Sequence, residues 1–161
     1  MGEQFDELMS MLNYPMFVVT TQADGHPSGC LVGFATQASI RPQRFLVGMS
    51  KTNHTGSVAS RSGHLAVHLL SRQQHGLAEL FGGQTGDRIN KFDHCSWHAG
   101  PHGMPILEDA VAWFVGRTLD RIDLGDHVGY LLEPLSTWAS ESSDDLLSLS
   151  DVGDIEPGHE A

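Results

Sequence analysis

Residues 14–35 have the sequence YPMFVVTTQADGHPSGCLVGFA, which predicts two strands joined by a tight turn. The first strand is expected over residues 14–21, which are rich in β-branched and aromatic side chains. Asp24 and Gly25 form a dipeptide that favours a two-residue hairpin turn. The second strand is expected over about residues 28–35. The predicted fold therefore begins with an antiparallel hairpin.

The rest of the chain continues as short strands separated by short helices. Further strands are expected at 44–49, 64–70, within 106–119 and at 127–133, and residues 36–40 lead to a break at Arg41-Pro42. Residue spacing predicts helices over 2–12, 53–62 and 73–81, the second capped by Asn53 or Thr55. Because strands and helices do not alternate regularly, the pattern favours an antiparallel barrel with helical additions over a parallel α/β fold.

Length and charge limit the classes of function. A chain of 161 residues corresponds to one domain. It has 20 acidic and 9 basic residues and a net charge of −11, which argues against a nucleic-acid or anionic-membrane partner. Seven of the acidic residues lie within 141–161, so the preceding part is closer to neutral and can still accept an anionic ligand.

The cysteines and the hydropathy pattern indicate a cytoplasmic protein. Cys30 and Cys95 form no CxxC pair and are expected to be reduced thiols. Neither a signal peptide nor an apolar run of membrane-spanning length is recognised. Residues 140–161 are expected to be an acidic, flexible tail after a domain over 1–139. The alternatives for this tail are a partner-binding segment and an arm on a second subunit.

One candidate binding segment is MSKTNHTG, residues 49–56, between a predicted strand and a predicted helix. Its hydroxyls, the Lys51 ammonium and the backbone N–H groups at the helix start suit a phosphate. An ordinary capped loop with a solvated lysine would have the same residues. Gly29 and Gly33 likewise mark either a close approach of a ligand to the strand or a bulge.

The histidines and the remaining cations give weaker signals. His94, His98 and His102 are spaced by four residues, but Gly100 and nearby residues interrupt the helix that would align them for a metal, so a metal site is disfavoured. His127 begins a strand after a Gly-Asp turn, at a barrel end where ligands bind.

Arg88 and Lys91 follow a glycine-rich loop. They either contact a dinucleotide phosphate or belong to a solvated surface, and the solvated surface is the favoured interpretation. No motif for a protein nucleophile is recognised, so an enzyme of this sequence would rely on a cofactor.

The order of several motifs resembles the flavin reductase-like family, the FMN-binding split barrels. The motifs run from VVTT, DG and PSGC through FATQASIRP and FGG followed by DR, to PIL, AVAWF and GDH, and they cover about residues 10–136. The resemblance implies a mainly β protein with short helices, an antiparallel split β-barrel that forms a homodimer. It also implies FMN or FAD bound between the subunits, reduced by NADH or NADPH and often passed to a partner monooxygenase.

The resemblance assigns roles to residues of this chain. The backbone of residues 30–33 would face the flavin ring. The loop at residues 50–55 and the DR motif would hold the phosphate, and Ser39 would hold the ring or ribityl chain. The expected flavin-binding residues are Cys30, Leu31, Val32, Gly33, Ser39, Ser50, Lys51, Thr52, Asn53, Thr55 and Arg88. His127 would position the nicotinamide for hydride transfer.

This chain departs from the family pattern where hydroxyl or amide side chains are common. Leu31, Gly33 and Phe34 stand at those positions, so hydrogen bonds from side chains to the flavin would be lost. The alternative function is therefore a protein that binds flavin, or the deazaflavin F420, without turnover of free flavin.

Overall fold

The computed structural model describes residues 2–83, 89–142 and 144–155. The strands are β1 Phe17–Ala23, β2 His26–Val32, β3 Ala35–Ile40, β4 Gln43–Ser50, β5 His64–Leu69, β6 Trp97–Ala99, β7 Pro105–Leu107, β8 Ala112–Asp123 and β9 His127–Ala139. The α-helices are α1 Gly2–Ser10, α2 His54–Ala59 and α3 His75–Gly83. Short 3-10 turns cover Arg72–Gln74, Lys91–Asp93, Pro101–Gly103 and Leu149–Asp151.

Seven of these strands form one antiparallel sheet in the order β2-β1-β5-β8-β9-β4-β3. The other two, β6 and β7, form a separate antiparallel ribbon. The predicted class, mainly β with antiparallel pairing and short helices, is confirmed. In the described ranges, no helix has the length and apolar character needed to cross a membrane.

The β1–β2 hairpin forms where the sequence predicts it. Asp24 has a φ of 55° and Gly25 a φ of 77°, the left-handed conformations that a tight type I′ turn requires. The register runs without a shift from Phe17 opposite Val32 to Ala23 opposite His26. The second strand therefore starts and ends two to three residues earlier than expected.

One hydrophobic core joins the two ends of the sheet. Cys30 and Val32 of β2 share a buried cluster with Val47 and Met49 of β4, although β2 and β4 are not neighbours in the sheet order. The sheet therefore encloses a common interior. A second cluster lies on the other side of β1 and β2, where Phe81 of α3 is buried.

The predicted strand within 106–119 is wrong in its extent. A turn at Glu108 and Asp109 divides this region into β7 and β8. β7 pairs with β6, whereas β8 pairs with β5 and β9 in the main sheet. The apolar run looked continuous because both strands have buried residues, such as Ile106 and Val115.

The structure also differs from the expected flexible tail. Residues 144–155, called the strap below, pack against the sheet and α3. Leu147 is 1% exposed, and its N–H donates to Leu70 O at 2.8 Å while its carbonyl accepts from Met16 N at 3.1 Å. An apolar side chain in a run of Ser and Asp residues is enough to anchor the strap. The domain boundary at residue 139 stays a prediction.

Candidate functional site

A cavity of about 310 Å³ opens between the end of β2, the start of β9 and the strap. Its lining residues come from distant parts of the chain. They are Tyr14, Met16, Cys30, Leu31, Val32, Gly33, Phe34, Gly48, Met49, Ser50, Asn53, Gly82, His127, Leu149, Val152 and Ile155. The cavity is called the cleft below.

The middle of the cleft follows the free edge of β2, since among the described residues this strand pairs with β1 alone. The Gly29 carbonyl points to this edge, since it accepts a hydrogen bond from Lys91 Nζ at 3.0 Å. In an antiparallel pair, both backbone groups of alternate residues face away from the partner strand. The N–H and C=O of Leu31 therefore lie on the edge of β2, available for hydrogen bonds to a ligand.

Packing within the chain accounts for the glycines of this strand region. A Cβ at Gly29 would lie 2.7 Å from a carbon of the Phe81 ring, and one at Gly33 would lie 2.6 Å from a carbon of the Tyr14 ring. The β1–β2 register has no shift, and the nearest irregularity lies between Gln37 and Ser39 of β3. These glycines therefore accommodate aromatic side chains rather than a bulge.

The polar end of the cleft contains Ser50, Asn53 and His127. Ser50 and His127 face each other across β4 and β9. The Asp126 carboxylate accepts a hydrogen bond of 2.7 Å from His127 Nδ1, which lowers the pKa of Asp126. The ring centroids of His127 and Phe34 are 4.9 Å apart. The imidazole is thus held between a carboxylate and an aromatic ring at the rim of the cleft.

The loop before α2 is organised by its own side chains. Asn53 caps the helix, because its Oδ1 accepts from the Thr55 N–H at 2.8 Å. Ser50 Oγ and Thr52 Oγ1 are 3.0 Å apart. The Thr55 hydroxyl is buried and lies 2.8 Å from the Ser28 hydroxyl. Ser50 and Asn53 line the cleft. Thr52 and Thr55 do not line it, and their contacts with Ser50, Asn53 and Ser28 stabilise the loop.

Two other predicted binding residues, Lys51 and Ser39, are not among the described residues that line the cleft. Lys51 Nζ lies 2.9 Å from Asp123 Oδ1, and both side chains are exposed. Ser39 lies on β3 beside Arg44 of β4. Arg88 lies outside the described residues. The flavin-binding roles of these residues stay predictions.

The expectation of a solvated face around Lys91 is wrong. Lys91 is 6% exposed, and its ammonium donates to Gly29 O and to Phe81 O, each at 3.0 Å. Burial lowers the pKa of Lys91. Burial also raises the pKa of the neighbouring Cys30 thiol to about 11, against the charge of Lys91, which lowers it. Cys30 is thus a neutral thiol in the wall of the cleft.

The histidines considered for a metal site lie apart. His98 Nδ1 is 3.5 Å from Glu108 Oε1, while the His102 ring stacks on His64 with centroids 4.2 Å apart. Among the residues that the structure describes, no three His, Cys, Asp or Glu side chains are grouped as metal ligands.

The apolar end of the cleft was not predicted from the sequence. Tyr14 and Met16 come from the segment just before β1, and Leu149, Val152 and Ile155 come from the strap. The sequence does have an apolar residue at every third position from 146 to 155, which is close to helical spacing. This pattern stands in a segment rich in Ser and Asp, whose composition is typical of a flexible tail.

A known protein family accounts for the curled antiparallel sheet with its cleft along one edge. The model of the Flavin reductase like domain matches residues 9–151. The chain therefore belongs to the flavin reductase-like family, and the resemblance seen in the sequence is confirmed.

Individual relatives are similar over most of this chain. An FMN reductase (NADH) of Ancylobacter novellus is 28% identical to this chain, and the alignment covers 78% of this chain and 68% of the relative. The 4-hydroxyphenylacetate 3-monooxygenase reductase component of Escherichia coli is 26% identical, with coverages of 81% and 77%. This chain spans only 35% of the length of a further relative, from Rhizobium meliloti, which is 32% identical.

A solved structure shares the fold over nearly the whole chain. The NADH:FAD oxidoreductase of Streptomyces globisporus superposes with a TM-score of 0.83, with 21% identity and coverages of 98% of this chain and 92% of that chain. At that identity the likeness shows the fold alone, with the strands in the arrangement found here.

Proposed function

We propose that this chain is an NAD(P)H-dependent flavin reductase, in which a nicotinamide donates hydride to FMN or FAD bound in the cleft. The observation that carries the proposal is the cleft along the free edge of β2, in a member of the flavin reductase-like family. The names of the Ancylobacter novellus and Escherichia coli relatives support the same activity.

The edge of β2 fits the hydrogen-bonding rim of a flavin. The pyrimidine part of the isoalloxazine ring has donors and acceptors along its edge, and the Leu31 N–H and C=O offer a complementary pair. Cys30 and Val32 flank Leu31 along β2 and also line the cleft. This arrangement supports the proposed role of residues 30–33, because backbone hydrogen bonds at Leu31 need no polar side chain at Leu31 or Phe34.

A bound flavin supplies the hydride acceptor, so the protein has to hold two rings in contact and exclude water. His127 is the residue we expect to position the nicotinamide, because it stands at the polar rim beside Phe34 and is oriented by Asp126. No acid–base step is required of it.

For the flavin phosphate we propose the loop at the polar end. Ser50 and Asn53 line the cleft directly. Lys51 reaches a phosphate only by giving up its ion pair with Asp123. Breaking this pair costs little free energy because both side chains are exposed. Thr52 and Thr55 hold the loop, and Arg88 and Ser39 are proposed as additional contacts.

We further infer a homodimer of split barrels with the flavin held between the copies. Large apolar side chains are exposed in and just after α1, at Phe5, Leu8 and Met11. Phe34, which lines the cleft, and Ile40, at the end of β3, are exposed as well, the latter to 72%. Apolar surface on this scale is typical of an interface. The exposed rim also leaves the cleft open on one side, which a second copy would close.

The reduced flavin is proposed to pass to a partner monooxygenase in the cytoplasm, as the name of the Escherichia coli relative suggests. No nucleic acid or membrane is proposed as a partner. The alternative function is a protein that binds flavin or F420 without turnover. The observation favouring it is the lack of a hydrogen-bonding side chain at Leu31, Gly33 and Phe34.

Titration with FMN, FAD and F420, followed by NADH and NADPH oxidation assays, separates these functions. Flavin binding together with flavin-dependent nucleotide oxidation supports the reductase. Binding without oxidation selects the alternative, and absence of binding to all three compounds overturns both.

A further inference from the structure

The strap is fixed to the rest of the protein at its centre. Leu147 is buried in the cluster that contains Leu70 and Phe81, and its backbone bonds tie the strap to β1 and to the end of β5. The Leu149 N–H donates to Tyr14 O at 2.9 Å, which continues the attachment to the segment before β1. The strap is therefore part of the packed structure on both sides of Leu147.

Polar contacts set the direction of the strap beyond this anchor. Asp151 accepts hydrogen bonds from the Ser148 N–H and hydroxyl and lies 3.2 Å from Arg72 Nε. Farther along, Asp154 Oδ1 lies 2.9 Å from His75 Nε2. Such exposed pairs contribute little free energy, but they hold the turn of Leu149–Asp151 over the start of α3.

This course brings three apolar strap side chains, Leu149, Val152 and Ile155, to the cleft. Ile155 comes close to β2: a Cβ at Gly82 of α3 would lie 2.8 Å from Leu31 Cδ2 and 3.6 Å from Ile155 Cγ2. Val152 is 6% exposed. The strap thus forms an apolar wall of the cleft.

We propose that Leu149 and Ile155 of the strap contact the dimethylbenzene ring of the bound flavin and so determine flavin affinity at this end of the cleft. The inference rests on the proposed flavin-binding function and extends it to a segment that reaches beyond residue 151, where the family match ends. It follows from polarity: hydrogen-bonding groups of the flavin match the β2 edge and the polar rim, which leaves its methyl-bearing ring for the apolar wall.

The test compares riboflavin with an analogue that lacks both ring methyl groups. Burial of two methyl groups corresponds to about tenfold in affinity, so the wild-type protein is expected to bind riboflavin about tenfold more tightly. In Leu149→Ala and Ile155→Ala this preference is expected to fall to about twofold, because the wall that contacts the methyl groups is gone.

Leu146→Ala is the matched control, since Leu146 is 45% exposed in the same strap and does not line the cleft. The control is expected to keep the wild-type preference. An unchanged preference in Leu149→Ala and Ile155→Ala overturns the inference while the proposed function stands. Failure of the wild-type protein to bind any flavin overturns the proposed function, and the inference with it.

A second measurement uses the unaltered protein and does not depend on the folding of a variant. With riboflavin bound, nuclear Overhauser effects are expected between the flavin methyl protons and the methyl groups of Ile155 or Leu149. Methyl contacts only to residues outside the strap would overturn the inference.

Discussion

The ammonium of Lys91 donates a hydrogen bond of 3.0 Å to the carbonyl oxygen of Gly29 at the free edge of β2. Lys91 is 62 residues away along the chain, and its second bond goes to Phe81 O of α3. This one side chain therefore joins α3 to the strand on which the flavin is proposed to bind.

Substitution Lys91→Met is expected to lower the free energy of unfolding by about 2 kcal/mol. The change leaves two buried carbonyl oxygens without a donor, which outweighs the relief from burying an ammonium group. Denaturant unfolding of the flavin-free protein measures the effect. Lys51→Met is the control, because its exposed pair with Asp123 is worth less than about 1 kcal/mol. Equal stabilities for the two variants would contradict the role given to Lys91.

His68 makes stability depend on pH. It is fully buried, with Nδ1 3.0 Å from Val18 O and Nε2 accepting from the Leu107 N–H at 3.1 Å. Burial lowers the pKa of His68 from 6.5 to about 4. Between these two values the unfolded chain binds a proton that the folded chain does not, so stability falls as the pH falls, by about 3 kcal/mol in total.

The test of His68 compares unfolding free energies at about pH 7 and about pH 5. His68→Gln is expected to lose about 2 kcal/mol less than the wild type on acidification, because the glutamine side chain binds no proton in this range. His26→Gln, at an exposed position, is expected to behave like the wild type. The same pH dependence in His68→Gln would show that another group is responsible.

Lys51→Ala is expected to weaken FMN binding by about 1 kcal/mol through loss of a charge-assisted hydrogen bond to the phosphate. Riboflavin has no phosphate, so its affinity is expected to stay unchanged. Dissociation constants for both ligands measure this difference, with Arg61→Ala as a control at a distant exposed ion pair. An equal loss for both ligands, or none, would show that the phosphate lies elsewhere.

His127→Ala is expected to raise the KM for the nicotinamide nucleotide roughly tenfold, which corresponds to one lost positioning contact. The flavin dissociation constant should change by less than about twofold, because the imidazole stands at the rim rather than on the β2 edge. His98→Ala provides the control, since His98 is exposed beside Glu108. A weakened flavin affinity with an unchanged KM would reassign His127 to flavin binding.

Local features of the fold were predictable from the sequence because they depend on neighbouring residues. Asp24 and Gly25 determine the hairpin turn by their backbone conformation, and Asn53 caps α2 two residues before Thr55. The polar residues of the cleft were predictable for the same reason, since Ser50 and His127 each stand at the end of a strand.

Features that depend on distant contacts were not predictable in this way. The burial of Lys91 requires carbonyl groups from β2 and α3, and nothing in the sequence around Lys91 indicates them. The strap is anchored by Leu147 against Leu70 and Met16, which lie far away in the chain. Composition alone describes the strap as a tail, because its five apolar side chains stand among six Ser and Asp residues.

The most direct test of the proposed function is an anaerobic single-turnover experiment. Protein loaded with FMN is mixed with NADH, or separately with NADPH, and the flavin absorbance is followed beside a mixture of free FMN and nucleotide. The flavin reductase assignment predicts bleaching of the bound flavin with loss of one equivalent of nucleotide, far faster than in the mixture without protein. Bleaching no faster than in that mixture, for both nucleotides, would contradict it.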